Sequence, residues 1–294
     1  MRILVTGASG MLGRAVMARL QKESDCEVTG LCFSRKTDSL KILDLTCREA
    51  LIAFLDEFKP DSIIHTAAIR KPDEFAQNVE KATALNVDAT ETLASWVAKN
   101  PSAHMSYISS DYVFDGKNPP YFPTSEINPV NAYGISKANG EVVCRKAAEE
   151  RIAILRVPVL YGDVEELSES SVTSVFKEVL SRKKTVLDDW AIRYPTHVAN
   201  VADVLVQISL RKIAGTHQWS GVEPFTKYDM AILVAYILKA DTSLFVRSGE
   251  PANGSEIRPK DCHLDRSSLE ALGVTTKDIL LLDAAKKILS TTSR

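Results

Sequence analysis

An α/β fold on a doubly wound parallel sheet, followed by a smaller C-terminal α+β domain, is predicted by three observations in this 294-residue sequence. An apolar run at 2–6 is followed at once by Gly7, Gly10 and Gly13; those glycines open an amphipathic stretch; and short β-branched runs alternate with helical patterns through the first half. Strands are expected at 2–6, 27–33, 62–65, 106–109 and 152–157, and helices at 11–23, 48–58, 82–99 and 136–150. Such a βαβ repeat builds a parallel sheet covered on both faces, with ligands bound at the carboxyl ends of the strands.

After Pro158 the rhythm changes. Helical patterns occur at 172–182, 201–211 and 227–238, and Pro251, Gly254 and Pro259 then punctuate an irregular segment. The run 216–220 reads as a strand returning to the main sheet. At 278–289, Ile279, Leu282, Ala285 and Leu289 recur at helical spacing, which suits a core helix. The expected division is a dinucleotide-binding domain over 1–160, rejoined by 196–222, and a substrate-side domain over 161–294.

Composition narrows the class. Hydrophobic residues make up 45% of the chain, enough for a sizeable core. The five cysteines are odd in number and never form CxxC, which disfavours a disulfide framework and points to a reducing compartment. The first apolar run breaks at Gly7 without a cleavage pattern, and nowhere do eighteen apolar residues follow one another, so a cytoplasmic protein is expected. A net charge of −2 with interspersed signs offers nucleic acid or membrane no polybasic surface. His197, His217 and His263 lack metal-ligand spacing, so no metal is expected. The adjacent pairs Glu165-Glu166 and Asp188-Asp189 do not suit paired acid/base work.

The glycine spacing is GxxGxxG. A buried strand that ends in a turn free of side chains, and then opens a helix, presents free N–H groups and the positive end of a dipole to a diphosphate. Gly7, Ser9, Gly10, Met11, Leu12 and Gly13 are the expected cradle. After the second strand the chain reads Phe33-Ser34-Arg35-Lys36, a hydroxyl and two cations where a carboxylate would select a free ribose 2′-hydroxyl. Ser34 and Arg35 either grip a 2′-phosphate, which makes NADP(H) the cofactor, or form a solvated basic turn. Asp44, with Leu45 beside it, is placed to accept from the adenine amino group, and Ala67 and Ala68 are small enough for close approach to the cofactor ribose. His65 reads as a satisfied core histidine.

Candidate chemistry lies in Ser110 at a strand end and in Tyr133 and Lys137, four apart on one helix face. A phenol of pKa about 10 shuttles protons poorly at neutral pH, and a nearby ammonium is expected to bring it down. Tyr133 would exchange the proton, Ser110 would hold the substrate oxygen, and Lys137 would also bind the nicotinamide ribose. Asn86 is a fourth candidate, positioning the lysine through water. Arg193 and Arg258 either grip a substrate diphosphate or serve as structural ion-pair partners, and Asp111 is a further substrate-side candidate.

The stretch Ser109-Ser110-Asp111-Tyr112-Val113-Phe114-Asp115-Gly116, the pair Arg258-Pro259 and the following Leu264-Asp265 resemble the extended short-chain dehydrogenase/reductases, which also use the longer glycine spacing. Within them the chain is similar to the dTDP-4-dehydrorhamnose reductases. Over nearly its whole length it is also similar to the regulatory beta subunits of methionine adenosyltransferase. Val157-Pro158-Val159-Leu160-Tyr161-Gly162, Arg193-Tyr194-Pro195-Thr196-His197-Val198, Trp219-Ser220-Gly221 and Thr226-Lys227-Tyr228 lean toward the latter, and the first segment lacks the tryptophan usual in the sugar reductases. The resemblance implies a Rossmann domain, NADP(H), and Ser110, Tyr133 and Lys137 in the roles above. Two functions follow: hydride transfer to a 4-keto nucleotide sugar or similar ketone, or NADP-binding regulation through docking on a methionine adenosyltransferase catalytic subunit. The terminal stretch 290–294 is either a docking contact or a frayed end.

Overall fold

The computed structural model describes residues 1–33, 35, 37, 39–251 and 257–292. Ser34, Lys36, residues 252–256 and the last two residues lie outside the described residues. The strands are β1 (Arg2–Thr6), β2 (Glu27–Cys32), β3 (Lys41–Ile42), β4 (Ser62–His65), β5 (His104–Ser110), β6 (Ile152–Val157), β7 (Leu160–Tyr161), β8 (Thr185–Asp188), β9 (Thr196–His197), β10 (Gly215–Gln218) and β11 (Phe245–Ser248). The first-half helices are α1 (Met11–Leu20), α2 (Arg48–Phe58), α3 (Pro72–Gln77), α4 (Val79–Thr83), α5 (Ala89–Lys99) and α6 (Ala132–Ala148). The second half adds α7 (Ser171–Leu180), α8 (Val198–Arg211), α9 (Lys227–Leu238), α10 (Ser267–Ala271) and α11 (Leu281–Thr292).

Seven strands form one sheet in the order β10-β6-β5-β4-β1-β2-β3, all paired in parallel. From β1 the chain winds outward through β2 and β3, then returns to place β4 on the other side of β1. Strand order therefore reverses at β1/β4, where Thr6 and His65 stand in register at the carboxyl ends, and that reversal opens a crevice.

Alternation along β1 sets the two layers. Ile3 and Val5 join the core with Val16, Leu20, Val201 and Leu205, from α1 and α8. Leu4 faces the other way, toward Leu51 and Leu55 of α2 and Leu93 of α5. A separate core forms among α7, α9 and α11, around Phe176, Val234 and Ala285. There β8 and β11 pair in parallel, as do β7 and β9. These short pairings carry no turn signal in the sequence. Among the described residues no helix is long and apolar enough to cross a membrane.

Two helices depart from expectation. α6 begins at Ala132 rather than at 136, because the Asn131 side chain accepts the Gly134 N–H at 2.8 Å and caps the first turn. Gly134 sits inside the helix, and Tyr133 lies in its first turn. The single helix expected over 82–99 is instead α4, a π-helical turn at Ala84–Asp88, and α5. That turn carries Asn86.

A buried ion cluster ties α6 to the sheet. The Glu141 carboxylate accepts from Ser109 on β5 at 2.6 Å, from Arg156 on β6 by two bonds of 2.8 Å, and from Arg145 at 2.7 Å. Burial alone would raise the carboxyl, but the Arg156 bonds and charge outweigh it and hold the group below its usual range. Glu141→Gln leaves two guanidinium groups without their counter-charge. It should lower the free energy of unfolding by about 3 kcal/mol in urea denaturation, and a loss well under 1 kcal/mol would show that the cluster does not hold α6 in place.

Candidate functional site

Three backbone segments meet at the crevice. Gly7 has φ of +65°, in the left-handed region, and a Cβ there would lie 2.7 Å from the Ala67 nitrogen. A Cβ on Gly13 would lie 2.1 Å from the Gly7 carbonyl oxygen. These glycines let β1, α1 and the loop after β4 pack directly on one another. Gly10 differs: a Cβ there would meet only the Gly7 oxygen, at 3.2 Å, because that side faces the cleft. No side chain caps α1, whose N-cap is Gly10. The turn thus offers backbone amides to an anion.

The cleft holds about 1030 Å³ and runs along the carboxyl edge of the sheet. Gly7, Ser9, Gly10, Met11, Leu12 and Gly13 line it, as do Arg35, Asp44, Leu45, Ala67 and Ala68. Of the expected cofactor residues, Ser34 alone falls outside the described residues. The Asp44 Oδ1 accepts the Thr46 N–H at 2.9 Å and its hydroxyl at 2.7 Å, a tight turn that fixes the carboxylate at the rim. His65 is buried between the Thr6 and Thr90 hydroxyls, at 2.7 and 3.0 Å, and burial pulls its pKa down to about 3. It is a neutral core group.

Ser110, Tyr133 and Lys137 come together against the same cleft. The Ser110 hydroxyl donates to Asp111 at 2.9 Å and accepts the Tyr112 N–H at 3.2 Å. Burial raises the Asp111 carboxyl to about 6, against the opposing effects of the Ser110 bond and the Arg193 charge. Lys137 is buried with its ammonium 4.2 Å from the centre of the Tyr107 ring, and burial lowers it to about 7.

The phenol does not behave as expected. Burial pushes Tyr133 well above its ordinary value; the Ser110 hydrogen bond opposes this, while Asp111 adds to it. Lys137 does not bring the phenol down, because it is itself close to neutrality and stacks on Tyr107. Asn86 also takes a different part: it accepts the Ile69 N–H at 2.8 Å and donates to the Ile69 carbonyl at 2.9 Å and to Ser136 at 3.2 Å. Its amide straps the loop after β4 to α6, and it is absent from the cleft lining.

At the far end Asp111, Arg193 and Arg258 line the cleft. Arg193 lies 3.8 Å from Asp188, and Arg258 pairs with Asp73 at 3.1 Å, so both are ion-paired while still facing the cavity. Lys227 joins them at the first position of α9, behind a capping box of Thr226 and Asp229, and burial and then Arg258 lower its pKa. Sequence reasoning missed this lysine, which stands in an ordinary capped-helix pattern. It also missed Glu169, which accepts from Arg14 at 3.0 and 2.8 Å and from Arg35 at 2.8 Å. No local pattern announces a contact between residues 134 positions apart.

Comparisons with known proteins agree with this geometry. The family model described as RmlD substrate binding domain matches residues 1–279. The chain is 43% identical over 279 residues to the methionine adenosyltransferase 2 subunit beta of Xenopus laevis, covering 93% of this chain and 83% of that protein. It is 34% identical over 242 residues to a dTDP-4-dehydrorhamnose reductase of Aggregatibacter actinomycetemcomitans, covering 79% and 78%. Among solved structures, a dTDP-4-dehydrorhamnose reductase from Clostridium acetobutylicum superposes with a TM-score of 0.85 at 25% identity, covering all of both chains.

The lowered Lys137 pKa has a measurable consequence. Between about pH 10 and pH 7 the unfolded chain takes up a proton that the folded lysine refuses, so stability falls as pH drops through that window and stays reduced below it. Lys137→Met removes the penalty. At pH 6 the variant should be more stable than the parent by about 2–4 kcal/mol, with the gain fading by pH 10; thermal unfolding at both pH values checks this, and an equal difference at each would contradict it.

Proposed function

The chain belongs to the RmlD substrate binding domain family, and from that premise we propose that it binds NADP(H) in the cleft and serves as a regulatory, beta-type subunit beside a methionine adenosyltransferase catalytic subunit. The observation that carries this reading is the greater identity and coverage shared with the methionine adenosyltransferase 2 beta subunits than with the sugar reductase. In this reading residues 1–160 and 196–222 hold the dinucleotide, 161–294 form the substrate or partner side, and the five cysteines fit a cytoplasmic setting.

The residues fit the cofactor. Gly10 keeps a clear face at an uncapped helix start, where the backbone amides of Met11 and Leu12 take a diphosphate. Arg35 stands at the rim beyond β2 and suits a 2′-phosphate, the basis for NADP(H) over NAD(H). Lys137 binds the nicotinamide ribose. Bound there, the dinucleotide supplies or accepts a hydride.

A second reading, reduction of a 4-keto nucleotide sugar or similar ketone, is favoured by the assembled Ser110, Tyr133 and Lys137. Tyr133 stays protonated well past neutral pH and so donates its proton to a ketone oxygen. Ser110 steadies that oxygen through its hydroxyl, and Arg193, Lys227 and Arg258 hold the anionic end of the substrate.

One set of measurements separates the two. NADPH fluorescence should report binding at micromolar concentrations, and the protein should co-purify with a methionine adenosyltransferase catalytic subunit while oxidising NADPH no faster than Tyr133→Phe across a panel of keto-sugar nucleotides. Turnover lost in Tyr133→Phe, with no complex at micromolar concentrations, would make the protein a reductase. Failure to bind either dinucleotide would overturn both readings.

A further inference from the structure

The short 3-10 turn at Leu167–Glu169, between β7 and α7, reaches the cleft through Ser168. It is firmly held: Ser170 caps α7 through the Val172 N–H at 3.1 Å and donates to the Leu160 carbonyl at 2.7 Å, and Thr173 donates to the Leu167 carbonyl at 2.7 Å. From this turn the Glu169 side chain, only 8% exposed, meets two arginines, and its backbone carbonyl meets a third. Arg14 of α1 grips both carboxylate oxygens and also donates to the Ser9 carbonyl, at 2.9 Å, within the glycine turn. Arg35, beyond β2, donates one bond of 2.8 Å to Oε1. Arg70, beyond β4, donates to the Glu169 backbone carbonyl. Glu165 adds a second carboxylate, 3.5 Å from Arg14 and 3.6 Å from Arg35.

Two guanidinium groups therefore share two carboxylates, while Arg70 holds the backbone of the same turn. Arg35 spends a single nitrogen on these contacts, and its other donors make no hydrogen bond among the described residues. A half-exposed arginine left to itself samples many rotamers, and a phosphate that binds it must arrest that motion. Here the motion is already arrested from across the cleft.

We propose that Glu169 is the positioning residue that sets the preference for NADP(H) over NAD(H), by holding Arg35 so that the donors it leaves unbonded among the described residues are ready for the 2′-phosphate. This deepens the NADP(H) reading and rests on it. The determinant lies about 130 residues from the loop where dinucleotide preference is ordinarily read, on a turn from the other half of the chain. Because Arg14 takes both Glu169 oxygens, the carboxylate's charge is largely answered before a phosphate arrives, so it orients Arg35 more than it competes for it. NAD(H), with a 2′-hydroxyl, gains nothing from the arrangement.

The test is titration of the intact protein with NADPH and with NADH, each followed by nucleotide fluorescence, for the parent, Glu169→Gln, Arg35→Ala and the double variant. Glu169→Gln should weaken NADPH binding about tenfold and NADH binding less than threefold. In the Arg35→Ala background the same change should leave the NADPH-to-NADH ratio where Arg35→Ala alone puts it. Thermal unfolding of each variant confirms that it is folded. Equal weakening of both dinucleotides would show that Glu169 merely braces the turn and would overturn the proposal. So would an unchanged ratio, or tighter NADPH binding, which would mark Glu169 as the phosphate's competitor. If the parent bound neither dinucleotide, the assignment of the cleft itself would fall, a result separate from any change in selectivity.

Discussion

Contact between the backbone at Gly13 and the Gly7 carbonyl is the constraint on which the remaining structure depends, since one added methyl would sit 2.1 Å from that oxygen. The contact draws the first turn of α1 down onto the end of β1. Gly7 in turn lets the loop after β4 close on the same point through Ala67. Strand order reverses between β1 and β4, so this three-way contact forms the floor of the cleft as well as a joint in the fold. Gly10 is the member of the trio whose open side faces the cavity; the other two glycines are consumed by packing. Fold and ligand recognition therefore make separate demands on one short motif.

Buried charge is handled in two opposite ways around this floor. Glu141, Arg156 and Arg145 are satisfied by mutual bonds, and the Glu141 carboxyl is held low in spite of its burial. One turn earlier on the same helix, Lys137 pairs with no carboxylate among the described residues, and burial brings it to about 7. Asp111 and Tyr133 are likewise shifted toward their neutral forms by burial. The paired cluster fixes the relation of α6 to β5 and β6. These burial-shifted groups line the cleft, a division common where a rigid frame supports a site.

Much of this was legible in the sequence wherever periodicity or local chemistry carried the signal. The apolar run at 2–6 and the glycines after it located β1 and the floor, and the return of 216–220 to the sheet shows in β10 pairing with β6. Helix starts were less legible: α6 begins four residues before the expected 136, and the π-helical turn at Ala84–Asp88 interrupted what reads as one continuous helix. The pKa of Tyr133 was misjudged because spacing shows that Lys137 is near, while only the packed structure shows that burial outweighs it and that Tyr107 holds the ammonium. Lys227 and Glu169 escaped because their partners are distant in sequence. A helix-capping pattern and a short acidic loop carry no trace of the cleft they face.

The most direct test of the central constraint is thermal unfolding of Gly13→Ala with and without NADPH. The Gly13 contact is inside the fold and away from the open face of Gly10. The variant should therefore melt several degrees below the parent, about 2 kcal/mol less stable, and should lose the upward shift that the dinucleotide confers. A variant that melts with the parent and responds equally to NADPH would contradict the claim that this backbone contact builds the floor of the site.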